Sequence, residues 1–106
     1  MKLLVIVLNN TELINELLSV LVEAGISAAT IIDSEGMGHH LAYNIPIFAG
    51  IKQFVGESGK HNKTILALVD EDNPADEINA LLKEVGIDFG EGGSGIMFTV
   101  PVSSKV

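Results

Sequence analysis

Glu23-Ala24-Gly25-Ile26 returns as Glu84-Val85-Gly86-Ile87 at an offset of 61 residues, an echo that decides the fold. The same offset lays Leu4 on Ile65, Glu16 on Glu77, Leu17 on Ile78 and Leu21 on Leu82 without a gap. Upstream of the first copy, Leu3 to Leu8 is a continuous apolar run rich in branched residues, the pattern of a strand buried on both faces. From Thr11 the apolar spacing changes to Leu13, Leu17, Leu21 and Ala24, with Ile14, Leu18 and Val22 beside them, which is a helix with a wide apolar face. Asn10 or Thr11 is suited to cap its start, and Gly25 to supply the left-handed residue that ends it. Ile26 to Asp33 reads as the next strand.

The second copy repeats the order. Thr64 to Val69 is another buried apolar run, Asp72 or Asn73 is placed to cap, and Pro74 fits a first helical position. Ile78, Leu81, Leu82 and Val85 form the helical stripe and Gly86 ends it. Ile96 to Val102 is the last strand, with Pro101 best placed at its end or on an edge. Two tandem strand-helix-strand units predict an α+β, ferredoxin-like βαββαβ fold, a four-stranded antiparallel sheet with two helices on one face. A chain of 106 residues accommodates this as a single domain, 1–106.

Two helices leave one sheet face bare. Six consecutive apolar residues in the first strand make that face apolar too, and a large apolar face is unusual on a soluble monomer. A homo-oligomer packed through its sheets is therefore expected.

Composition removes several functions. Six Lys stand against 14 acidic residues, for a net charge of −8, and there is no Arg. Phosphate backbones are held by clustered Lys and Arg, so nucleic acid is not an expected partner, and anionic membrane surfaces are disfavoured on the same ground. Without Cys there is no disulfide framework, thiolate metal site or Cys nucleophile. The run Leu3 to Leu8 is too short for a signal-peptide core or a membrane span, so a cytoplasmic location without membrane insertion is expected.

Between the second and third strands lies a long loop, 35–62, where a hairpin needs only about two to five residues. It carries His39, His40 and His61, the single Tyr43, Lys52 and Lys60. Its apolar residues Ile47, Phe48, Ile51 and Phe54 either pack on a neighbouring subunit or form a short helix, or the stretch docks a target protein or orders around a ligand. Gly90-Glu91-Gly92-Gly93-Ser94-Gly95 matches the dinucleotide pattern Gly-x-Gly-x-x-Gly by letter, but a helix precedes it and a strand follows, the reverse of what that fingerprint needs. What remains is a glycine-rich run whose backbone N–H groups suit a hairpin connection or an anion-binding nest. No catalytic residue is assigned: there is no nucleophile motif, and Asp70-Glu71-Asp72 sits at a helix start, where carboxylates favour the dipole.

The stretch Thr30-Ile31-Ile32-Asp33-Ser34-Glu35-Gly36-Met37-Gly38-His39-His40 resembles the segment of nitrogen regulatory PII signalling proteins that leads into their long T-loop through Gly-Phe-Gly-Arg-Gln. Gly93-Ser94-Gly95-Ile96-Met97-Phe98-Thr99-Val100-Pro101-Val102 resembles that family's B-loop and following strand, Gly-Asp-Gly-Lys-Ile-Phe-Val-Phe-Pro-Val. Glu23-Ala24-Gly25-Ile26 resembles its Glu-Ile-Gly-Ile. The resemblance covers nearly the whole chain and implies a non-enzymatic regulatory protein. It further implies a homotrimer with sheets facing inward and an adenine-nucleotide or related effector in the clefts between subunits, with no obligatory cofactor. The loop 35–62 would then report to a target protein, soluble or in a membrane.

By the same resemblance the effector site would include Thr30, Gly36, Met37, Gly38, His39, His40, Leu68, Gly93, Ser94 and Gly95. The chain departs from the pattern at the charged positions. Ile96 replaces the B-loop Lys, His39 the Arg and His40 the Gln, and the family's C-terminal arginines find no equivalent. Phosphate would be left with backbone N–H groups and Lys60, Lys63 or Lys105. Each missing charge-assisted bond costs on the order of 1.5–3 kcal/mol, so a less charged effector is expected over a triphosphate. A second resemblance in architecture, to CutA-type divalent-ion tolerance proteins, implies metal binding through His39, His40 and carboxylates such as Asp33 or Glu35. Adjacent histidines on an extended strand would point to opposite sides and fail to share one ion within a subunit.

Overall fold

The computed structural model describes residues 1–106 except 52–60, 71 and 73. Four strands, β1 (Lys2–Leu8), β2 (Thr30–Ser34), β3 (Asn62–Val69) and β4 (Gly95–Pro101), form one antiparallel sheet in the order β2-β3-β1-β4. This is the α+β, ferredoxin-like arrangement that the duplicated pattern predicts. Helices α1 (Ile14–Glu23) and α3 (Pro74–Glu84) cover one face. A third helix, α2 (Met37–Asn44), and a 3-10 turn (Pro46–Ile51) occupy the connection between β2 and β3.

The duplication extends to how the two long helices stop. Ile26 N–H donates to Leu21 O and Gly25 N–H to Val22 O, while Ile87 N–H donates to Leu82 O and Gly86 N–H to Lys83 O. With Gly25 at φ 87° and Gly86 at φ 89°, both are Schellman endings. At the other end of α1, a 3-10 turn (Thr11–Leu13) intervenes, and the Asn10 side chain accepts from Glu12 N–H to cap that turn. Of the two caps expected for α3, Asn73 lies outside the described residues.

Alternation along the strands divides the sheet into two unlike faces. Leu4, Ile6 and Leu8 of β1 and Ile65, Ala67 and Val69 of β3 are buried beneath Leu17, Val20 and Leu21 of α1 and Ile78 and Leu82 of α3. The opposite face carries Leu3, Val5 and Val7, whose register partners are Leu68, Leu66 and Thr64 on β3 and Val100, Phe98 and Ile96 on β4. Ile96, Phe98, Val100 and Leu68 are exposed there. This bare apolar face is the one anticipated from the first strand.

Two expectations need correction. The second strand begins at Thr30 rather than Ile26, because Ser27, Ala28 and Ala29 leave the sheet edge and have no partner in the β2–β3 register. The beginning of the long connection is helical rather than an open loop or an extended strand. His40 N–H donates to Gly36 O, Leu41 and Ala42 are helix-favouring, and Ala42 is buried. Ile45, forced into extended geometry by Pro46, ends the helix. Of the four apolar loop residues, Ile47 and Phe48 lie in the 3-10 turn and are exposed, Ile51 closes that turn, and Phe54 falls outside the described residues, as do Lys52 and Lys60.

Candidate functional site

The expected site residues fall into three groups. Gly93, Ser94 and Gly95 enter β4, and Gly36, Met37, Gly38, His39 and His40 follow β2 at the same end of the sheet. Those two groups sit on opposite edges, with β1 and β3 between them, about 14 Å apart by strand spacing. Thr30, opposite Leu66, and Leu68 lie on the bare face further along β3. One chain therefore does not gather the ten residues into a single pocket.

Around Thr30 and Leu68 the sheet is notched. By the β2–β3 register, Ala67, Leu68 and Val69 would face Ala29, Ala28 and Ser27, yet β2 starts only at Thr30. On the bare face this leaves a shallow recess of about 600 Å³ bordered by Ser27, Ala28, Thr30, Leu66, Leu68 and Lys105. On the helical face a cavity of about 310 Å³ shares Ser27, Ala28 and Leu68 and adds Asp70 and Glu77. Among the described residues, the edge of β3 in between has no neighbouring strand, so it offers backbone donors and acceptors.

The glycine loop before β4 is built by its own turns. Asp88 Oδ1 accepts from Gly90 N–H at 2.8 Å, Glu91 N–H donates to Asp88 O and Ser94 N–H to Glu91 O. Gly93 and Gly95 have φ of 85° and 135°, conformations that other residues rarely adopt. The acidic residues in this loop, Asp88 and Glu91, give it no cation for phosphate, and Ile96, next in β4, is exposed and apolar.

At the other edge, α2 turns both histidines toward one carboxylate. His40 Nδ1 is 3.4 Å and His39 Nε2 3.8 Å from Glu35 Oε1. The expectation that they diverge belonged to an extended strand; in a helix, residues one apart differ by about 100° and both reach back to Glu35. The His39 ring is 4.5 Å from Tyr43 and 5.2 Å from His61, and its buried Nδ1 has no hydrogen-bond partner among the described residues. Among the described residues, no three His, Asp or Glu side chains stand together closely enough to hold a metal ion. Lys63, one of the cations named for phosphate, is 2.5 Å from Asp33 Oδ1, and this ion pair holds the Asp33 carboxyl below its ordinary range.

Residues that the sequence did not mark join the two edges. Ser34 Oγ donates to Asn62 Oδ1 at 2.5 Å; that uses its single proton, so Thr64 Oγ1 at 2.8 Å is the donor to Ser34. Asn62 Nδ2 donates to Asn9 Oδ1 at 3.5 Å, and Asn9 Nδ2 donates to Gly93 O at 2.9 Å. Asn9 N–H also donates to Ser94 O. A line of polar side chains thus crosses the bare face from β2 to the glycine loop, at the end where the apolar rows stop.

The family model described as nitrogen regulatory protein P-II matches residues 1–106, the whole chain, and the chain belongs to that family. No curated protein matches the chain. Among the described residues no helix is long and apolar enough to cross a membrane.

Proposed function

We propose that this P-II family member is a cytoplasmic, non-enzymatic regulatory protein that assembles as a homotrimer. A weakly charged small effector, an adenine nucleoside, a nucleoside monophosphate or a cyclic nucleotide, binds in the clefts between subunits. The apolar sheet face supports the assembly, since Ile96, Phe98 and Val100 are exposed and Leu3 and Val5 half-buried among the described residues. The separation of the glycine loop from the residues after β2 supports a site completed by a second subunit.

The observation that carries the effector class is the notch beside β3. A flat heterocycle with donors and acceptors on its rim meets an unpaired strand edge at Ala67–Val69, with Thr30 and Leu68 beside it. Among the described residues, Lys105 is the one cation bordering that recess. Effector binding shifts the balance between states of the segment 35–61, which presents α2 and the exposed Ile47 and Phe48 to a target protein.

A thermal-shift series with adenosine, AMP, cyclic AMP, ADP and ATP at one salt concentration tests this. Ligands bound only by the folded state raise the melting temperature, and the low-charge members are expected to match or exceed ATP. A response to ATP alone would overturn the effector class, and no response to any member would overturn the adenine reading.

A further inference from the structure

The line of hydrogen bonds from Gly93 to Ser34 ties two segments that are far apart in sequence and lie on opposite sheet edges. Each link involves a group with a definite job. Ser34 and Asn62 are the last residue of β2 and the first of β3, so their side-chain bond fastens the mouth of the connection between those strands. Asn9 stands one residue past β1 and uses its amide in both directions, donating to the glycine loop and accepting from Asn62. The weakest link, at 3.5 Å, is the one between Asn9 and Asn62. Apolar side chains would have continued the bare face at these positions; polar ones require mutual satisfaction once covered.

We propose that Asn9 couples the glycine loop 90–95 to the mouth of the 35–61 segment, so that a displacement of Gly93–Ser94 loosens the Ser34–Asn62 fastening, and the reverse. This deepens the effector reading by naming the route from the glycine loop to the reporting segment. The coupling itself resides in the free protein and is testable with no effector present. Coupling of this kind is reciprocal: what Ser34 does to the glycine loop, the glycine loop does to Ser34.

The experiment is amide hydrogen exchange on the full-length protein without ligand, in Asn9→Ala, Ser34→Ala, the double variant and Asn10→Ala. Asn10 caps the neighbouring 3-10 turn and makes no bond to the line, so it serves as the local control. Loss of one net hydrogen bond corresponds to about a fivefold change in a local opening equilibrium. Asn9→Ala is expected to speed exchange at Ser34 and Asn62 about fivefold as well as at Ser94 and Gly95. Ser34→Ala is expected to speed exchange at Ser94 and Gly95 in the native background, and to add nothing there once Asn9 is Ala. Asn10→Ala leaves all four amides unchanged. If Asn9→Ala affects only Ser94 and Gly95, or if the two substitutions act independently, the coupling is wrong whatever the effector proves to be. If Asn9→Ala alters melting too severely to interpret, Asn62→Asp, which removes the Nδ2 donor and keeps the acceptor to Ser34, must reproduce the Ser94 and Gly95 response. Its failure to do so equally overturns the proposal.

Discussion

Gly95 enters β4 so close to Val7 that a β-carbon on Gly95 would overlap the Val7 carbonyl oxygen and crowd Phe89 at 3.2 Å. Its φ of 135° disfavours any side chain independently of that overlap. Gly95→Ala is therefore expected to lower folding stability by on the order of 2–4 kcal/mol, combining backbone strain with a clash against main chain. Gly92→Ala, with no described residue within 4 Å of the added carbon, is expected to stay within about 0.5 kcal/mol. Urea midpoints for the two variants check this, and a stable Gly95→Ala protein would mean that the approach to Val7 is not as close as described. The consequence for function is that Gly95 is held by the fold first, so a loss of ligand response in Gly95→Ala says little about the ligand.

Periodicity separates what the sequence makes legible from what it hides; Gly95 stands out only through the glycine-rich run and the family resemblance, and Asn9 through neither. Buried strands and helix stripes repeat, so Leu4, Ile6, Leu17 and Leu82 declare their face before any coordinates exist, and Gly25 and Gly86 declare their helix ends. The α2 helix leaves little trace in the sequence, because Gly36 and Gly38 weaken its propensity and only one of its residues, Ala42, is buried. The early start assigned to β2 has a similar origin: Ile26 belongs to the Schellman ending of α1 and packs on the core, so its apolar character was not a strand signal. Asn9, Ser34 and Asn62 meet only through cross-strand register, which lone polar residues at strand ends do not reveal. The low positive charge expected at the site was readable from composition.

The Asp33–Lys63 pair gives a pH signature. The hydrogen bond and charge of Lys63 lower the Asp33 carboxyl from its ordinary value of 3.8. A carboxyl lowered in the folded state contributes stability above its unfolded value, and that contribution fades as pH falls from near 3.8 through the lowered value. Asp33 is largely exposed, so the effect on folding is small and sensitive to salt. Titration of the Asp33 carboxyl carbon by NMR is expected to show a low midpoint that returns toward 3.8 in Lys63→Met. An unchanged midpoint in that variant would remove Lys63 as the cause.

Ala42 is buried, yet it lies outside the cluster formed by the sheet with α1 and α3. Its packing therefore orders α2 without supporting the core, and the two stabilities separate. Ala42→Asp is expected to abolish exchange protection over Met37–Asn44 while lowering the global unfolding free energy, from urea titration, by less than about 0.5 kcal/mol. Leu17→Ala, in the core, is expected to cost about 2–5 kcal/mol. If Ala42→Asp lowers global stability as Leu17→Ala does, α2 is part of the main folding unit and is not a separable reporting element.

Val5 lies opposite Leu66 on one side and Phe98 on the other, the middle row of the bare face. A charge in this row faces water in a lone chain but is buried when two such faces meet, where an unpaired carboxylate is strongly unfavourable. Phe98, already 43% exposed, tolerates such a change within one chain. Phe98→Glu is accordingly expected to keep the far-ultraviolet circular dichroism of the native protein while converting the proposed trimer to single chains in sedimentation at micromolar concentration. If the proposed effector site is completed by a second subunit, any adenine response is expected to vanish with the assembly. A Phe98→Glu protein that remains trimeric would place the interface elsewhere than on this face, and a monomeric variant that still responds to ligand would place the whole site within one chain.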